Sequence, residues 1–169
     1  SQDRAITDMN INPNIAVGLE RVGKTHINRP AVAVGRTTLQ TYARLASHAA
    51  RFAHGFHEKL GLTQKDRIAI ASKNCPGYIE SMYGIWWGGF VAVPANAKLH
   101  GSELGYILNN SDAKVCLVGP ELYDVINQYR PVNLEHLIII GGTTYTDLLS
   151  SEPMPVAPVK GDDTAWLFF

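Results

Sequence analysis

Short apolar runs, each separated from the next by a stretch of helical periodicity, constrain this 169-residue chain more than any other feature. Residues 67–71 read Arg-Ile-Ala-Ile-Ala, 90–93 Phe-Val-Ala-Val, 114–118 Lys-Val-Cys-Leu-Val and 136–140 His-Leu-Ile-Ile-Ile. A strand with one face in water alternates apolar and polar residues. These do not, so they predict a sheet covered on both faces. Between residues 41 and 60, Leu45, Ala49, Phe52, Ala53, Phe56 and Leu60 recur at helical steps, while Arg44, His48, Arg51 and Glu58 share the other face. Further helices are predicted over 76–87, 102–108, 120–129 and 145–149. Pro76 fits a first helical residue, with Asn74 or Cys75 as its cap, and Gly61 and Gly88-Gly89 act as stops. Strand and helix in such regular succession predict an α/β fold, a doubly wound and mostly parallel sheet with helices on both faces.

The chain divides accordingly into four parts. Residues 1–29 form an N-terminal segment and 30–149 the α/β subdomain, which begins with a hairpin (31–34 and 37–39) turning at Gly35-Arg36. Residues 150–161, with Pro153, Pro155 and Pro158, predict an extended, exposed connector. Residues 162–169 end in Trp166-Leu167-Phe168-Phe169, an aromatic strand pattern with no turn after it. A buried strand needs neighbours for its backbone groups, so the sequence reads as a fragment of a parent chain that continues.

Composition removes several classes of function. With 46% hydrophobic and 18% charged residues the chain has the makings of a core and is not disordered. Fifteen Lys and Arg against fifteen Asp and Glu leave no positive excess for a phosphate backbone, so no nucleic-acid partner is expected. The longest uncharged stretch, 81–97, is too short for a membrane span and is broken by Gly88-Gly89, Pro94 and Asn96. Cys75 and Cys116 match neither a disulfide scaffold nor a zinc pattern, which points to a reduced, cytoplasmic protein.

No catalytic constellation stands out from the residues alone. His48, His54 and His57 share a helix, but only Glu58 is near enough to join them, so they read as a solvated face and no metal site is expected. Gly141-Gly142-Thr143-Thr144 could cradle phosphate but lacks both glycine-rich nucleotide patterns and reads as an ordinary strand-to-helix turn. Tyr83, Trp86, Trp87 and Phe90 read as a helix face packed on the sheet rather than a ligand pocket. Cys75 precedes a helix, a position suited to a nucleophilic thiol, yet no partner is identifiable by spacing. Cys116 reads as a small core residue.

The order of several motifs nevertheless resembles the adenylate-forming enzymes, the AMP-binding superfamily of acyl-CoA synthetases, luciferases and peptide-synthetase adenylation domains. Leu39-Gln40-Thr41-Tyr42-Ala43-Arg44-Leu45 resembles their "LTYxEL" opening, and Gly61-Leu62 with Asp66-Arg67-Ile68-Ala69-Ile70 their "G(V/L)xxGDRVAI" strand. Asn74 and Tyr78-Ile79 fit the helix that follows. Residues 88–99, Gly-Gly-Phe-Val-Ala-Val-Pro-Ala-Asn-Ala-Lys-Leu, resemble "AGAVxVPLNPRL", and 103–115 match "ELxYxLxDSxAKV". Residues 162–169 are similar to the strand entering the family's "TSGTTGxPKG" phosphate loop. The likeness covers most of 30–169 and is most specific over 61–115.

The resemblance implies a parent acyl-CoA ligase that joins a fatty or aromatic acid to coenzyme A, using ATP and Mg²⁺ and passing through an acyl-adenylate. In that family the catalytic residues lie beyond the motifs present here, so no catalytic residue and no metal ligand is assigned. The fragment is expected to be inactive alone and to bind no cofactor tightly. One position carries over: Lys98 stands where "NPRL" has its basic residue, which in related CoA ligases approaches the phosphates of the CoA nucleotide. Lysine offers a point charge and not arginine's bidentate fork, and a solvated surface lysine is the alternative. Trp86-Trp87 and Ala97 depart from the family pattern and bear on the substrate subclass. Two other readings stay open: a peptide-synthetase adenylation fragment, which usually has Asp where this chain has Asn96, and a stand-alone flavodoxin-like binding or interaction module. Self-association through the terminal strand is expected in either case.

Overall fold

The structure, a computed structural model, describes residues 12–34, 37–73 and 75–169. The expected turn at Gly35-Arg36 and the cap at Asn74 lie outside the described residues. Four parallel strands form the central sheet: β3 (Arg67–Ala71), β4 (Val91–Ala95), β5 (Val115–Val118) and β6 (His136–Ile139), in spatial order β4-β3-β5-β6. An antiparallel hairpin of β1 (Pro30–Val34) and β2 (Thr37–Thr41) stands apart from it. The helices are α1 (Ala16–Thr25), α2 (Tyr42–Glu58), α3 (Pro76–Trp87), α4 (Gly101–Ser111), α5 (Tyr123–Gln128, after a 3₁₀ turn at Pro120–Leu122) and α6 (Thr143–Leu149).

Period-two geometry explains why the strands are apolar throughout. Ile68 and Ile70 point to one face, where they meet Phe52 and Phe56 of α2, Ile85 of α3, and Tyr145 and Leu148 of α6. Ala69 and Ala71 point to the other, against Leu104, Ile107 and Leu108 of α4 and Ile126 of α5. The small residues of β3 thus take one helical layer and the large ones the other, as a doubly wound sheet requires.

Local signals set the helix ends. The Thr41 hydroxyl accepts from Arg44 N (3.3 Å) and caps α2. Past its other end, Gly61 takes a left-handed φ of +67° while Leu62 N donates to Phe56 O at 3.0 Å. In α4, Glu103 reaches back to His100 N (3.2 Å) in a capping box. Cys75 is the cap residue of α3 and Pro76 its first residue. Where α2 crosses α3, Gly84 lies so close that a Cβ there would be 2.8 Å from Phe52 Cβ.

One segment adds an element to the sequence reading and one departs from it. Residues 1–29 contain α1, whose Ala16 and Leu19 pack on Leu45, Ala49 and Ala53 of α2 and on Trp87. The proline-rich connector is irregular but not exposed throughout. Ser151 and Ala157 are buried, the Trp87 indole donates to Met154 O (2.7 Å), and Ala157 N donates to Trp87 O (2.8 Å). The Asn14 amide adds bonds to Trp86 O (2.6 Å) and Ala157 O (3.0 Å). Composition predicted exposure, but the tryptophans of α3 offer indole donors and apolar area, and the connector takes both.

The C-terminal residues do not form the expected strand. They meet β4 in a single parallel bridge between Trp166 and Ala92, with Ala92 N donating to Ala165 O (2.9 Å) and Leu167 N to Ala92 O (2.8 Å). The next rung on that side would need a donor at position 94. Position 94 is proline, which has no N–H, so the ladder stops after one rung.

Candidate functional site

In an open parallel sheet, ligands bind beyond the carboxyl ends of the strands. Here β3 ends at Ala71 and is followed by Ser72 and Lys73; β4 ends at Ala95 and is followed by Asn96, Ala97 and Lys98. The two strands are in register, Ala71 opposite Ala95. With Tyr78 of α3 and the terminal Phe168 and Phe169, these residues line a cleft of about 620 Å³. It lies one strand over from the point where the winding reverses, between β3 and β5. That point is closed by Gly119 N bonding to Ala71 O (2.9 Å) and carries the Glu121 carboxylate over Gly119, a poor setting for an anion.

A turn places Lys98 in the cleft. Asn96 Oδ1 accepts from Lys98 N (2.9 Å) and Asn96 O from Leu99 N (3.1 Å), so the Asn side chain fixes the loop that presents the lysine. Lys98 and Lys73 are both exposed, and no Asp or Glu is among the residues lining the cleft. Tyr78 is half-buried, and burial raises its phenol above the ordinary range. The cleft is therefore lined by both cationic and aromatic side chains.

A second polar centre lies under the surface. Glu80 of α3 is 7% exposed, yet its carboxylate bonds His48 Nδ1 (2.7 Å), the Gln40 amide (2.9 Å) and the Tyr145 hydroxyl (2.9 Å). Burial pushes the carboxyl upward, but the hydrogen bonds and the facing His48 ring outweigh it and hold it below the usual range. Burial and the adjacent Glu80 charge raise the Tyr145 phenol in turn. The cluster ties β2, α2, α3 and α6 together. Sequence reasoning missed it: Glu80 is the sole charge in an otherwise apolar helix, a usable signal, but its partners lie 32 to 65 residues away.

The histidine face is not solvated as expected. His48 faces Glu80. His57 Nδ1 and Nε2 lie 3.0 Å from Leu62 O and Gly88 O respectively, and His54 Nδ1 lies 2.7 Å from Glu152 O. The partners come from α3 and from loops that fold back on α2, which a helical wheel does not show. The other residues singled out in the sequence take the following places. Gly141, at φ +82°, and Gly142 form the turn from β6 into α6. Trp87 is core, and Trp86 packs on Trp166 with its indole donating to Ala165 O (3.0 Å). Cys75 is exposed, whereas burial pushes the Cys116 thiol up to about 12.

The chain is 35% identical over 104 residues to a crotonobetaine/carnitine–CoA ligase of Salmonella paratyphi A, covering 60% of this chain and 20% of that protein. The corresponding protein of Salmonella agona is 30% identical over 143 residues, covering 76% and 28%. The chain thus spans between a fifth and a third of the curated relatives it matches. Among solved structures, a Mycobacterium tuberculosis fatty acyl CoA synthetase superposes with a TM-score of 0.81 at 26% identity, over 92% of this chain and 32% of that one. A benzoate CoA ligase from Burkholderia xenovorans LB400 has the same fold, with a TM-score of 0.81 at 24% identity over 90% of this chain and 32% of its own. The AMP-binding enzyme family matches residues 19–169, which takes in both strands and both loops of the cleft: the chain belongs to the AMP-binding enzyme family.

Proposed function

We propose that this chain is the N-terminal α/β part of an ATP-dependent acid–CoA ligase. The reaction joins a fatty or aromatic carboxylic acid to coenzyme A through an acyl-adenylate and releases AMP and pyrophosphate. The family match over 19–169 carries the reading, and the names of the relatives and structural neighbours support CoA as the acceptor. Within the chain, Lys98 is the residue proposed to meet the phosphates of the CoA nucleotide, because the Asn96 turn holds it at a cleft lined by a second lysine and by aromatic rings.

Among the described residues no three His, Cys, Asp or Glu side chains converge. By the likeness to the family we assign the adenylation step, with ATP and Mg²⁺, to residues of motifs that this chain does not contain, and give the chain the tasks of binding and orientation. The division at 30, 150 and 162 is kept as the proposed domain plan. No described helix is long and apolar enough to cross a membrane, in keeping with a cytoplasmic location. Self-association is proposed through the exposed aromatic side chains of the terminal segment.

The test is kinetic. The chain, extended by the coding sequence that follows it, is assayed for pyrophosphate and acyl-CoA release with a panel of fatty and aromatic acids. We expect acid- and CoA-dependent turnover, with Lys98→Ala raising KM for CoA about tenfold and KM for ATP far less. No CoA-dependent turnover with any acid overturns the ligase reading; an unchanged KM for CoA removes Lys98 from it.

A further inference from the structure

Lys73 enters none of the motifs discussed above, yet it lines the same cleft as Lys98. Rung Ala71–Ala95 is the last of the β3–β4 ladder; Lys73 lies two residues beyond it on one strand and Lys98 three residues beyond it on the other. The strands run about 4.8 Å apart, so two ammonium groups on flexible stems leave neighbouring points of the sheet edge and border one cleft. In a chain of zero formal net charge such a pair requires an explanation, because like charges in proximity repel. Neither lysine is in an ion pair among the described residues.

Two further observations point the same way. No acidic residue lies in the first turn of α3, which starts at Pro76 just past Lys73, so the positive end of a twelve-residue helix adds to the field without local neutralisation. The cleft is also lined by Tyr78, Phe168 and Phe169, of which Phe168 is 69% exposed. Cations and aromatic rings lining one cleft suit a ligand that carries both phosphates and a flat ring.

We propose that Lys73 and Lys98 form a two-point phosphate clamp, which selects a nucleotide bearing two phosphate groups over one bearing a single phosphate. The inference rests on the reading of this cleft as a nucleotide site and adds Lys73 as a specificity-determining residue.

Binding of adenosine 3′,5′-bisphosphate and of AMP to the 169-residue chain is measured by calorimetry at low salt, with folding of each variant checked by circular dichroism. The wild type is expected to bind the bisphosphate at least tenfold tighter than AMP. Lys73→Gln or Lys98→Gln alone is expected to reduce bisphosphate affinity to the AMP level, and Lys73→Arg to retain most of it. Lys24→Gln, which removes a surface charge from α1 outside the cleft, is expected to leave both affinities within twofold. If Lys98→Gln weakens binding and Lys73→Gln does not, the clamp is wrong while the nucleotide site survives. Equal affinity for the two nucleotides in the wild type also overturns the clamp. If neither nucleotide binds, the clamp and the cleft's assignment fall together. If Lys24→Gln weakens binding as much as Lys73→Gln, the effect is general charge and not a clamp.

Discussion

A carboxylate buried to 7% exposure is tolerated only when hydrogen bonds replace the water it has lost, and Glu80 has three such partners. Because its folded pKa lies below the ordinary value of about 4.3, the folded state binds fewer protons than the unfolded one through the acid range. Stability from Glu80 is thus fully present above that ordinary value and is lost as pH falls through the lower folded one. Glu80→Gln should flatten the acid limb of a urea-melt stability profile between pH 5 and 3. Glu80→Ala should lower stability at pH 7 by about 3 kcal/mol, since it strands His48, Gln40 and Tyr145. A Glu80→Gln profile that superimposes on the wild type would show that Glu80 carries no such linkage. Sequence alone marks Glu80 as an anomaly but not as a hub, because hydrogen bonds across 32 to 65 residues exist only once the helices have packed.

Among the elements, the fit between α2 and α3 shows how far periodicity reaches. The 3.6-residue spacing reveals that each helix has a buried stripe, and both helices fall where that spacing puts them. It does not reveal that Gly84 marks their closest approach. An added methyl at Gly84 meets Phe52 Cβ, which is fixed to the backbone of α2 and cannot swing aside. Gly84→Ala is therefore expected to destabilise the chain by about 1–3 kcal/mol despite alanine's better helix propensity. Denaturant unfolding checks it, and a change within 0.5 kcal/mol would mean that the helices slide apart without penalty. The strands of the central sheet were legible because being apolar on both faces is a local property. Helix α1 was not, since its buried stripe is short and exists only against α2 and Trp87. The packed connector escaped notice for a related reason: its prolines forbid regular structure but do not forbid burial against tryptophan.

For the whole molecule, the cleft and its lysines were half legible. The resemblance singled out Lys98, whereas Lys73 acquires meaning only when parallel register brings β3 and β4 side by side. The aromatic terminal segment also has a consequence at this scale. Trp166, Phe168, Phe169 and nearby Tyr106 are all exposed, and apolar side chains gathered in this way mark interaction surfaces. Sedimentation equilibrium is expected to show an average mass that rises with concentration, and Phe168→Ser with Phe169→Ser should abolish the rise. A concentration-independent monomer would count against self-association. The manner of any such contact is already restricted by Pro94. A ladder missing a tooth at its second rung cannot template strand upon strand, so that edge of β4 accepts one short segment and then closes to growth. The same missing tooth leaves the last two phenylalanines outside the sheet, where they serve as a wall of the cleft and not as its hem.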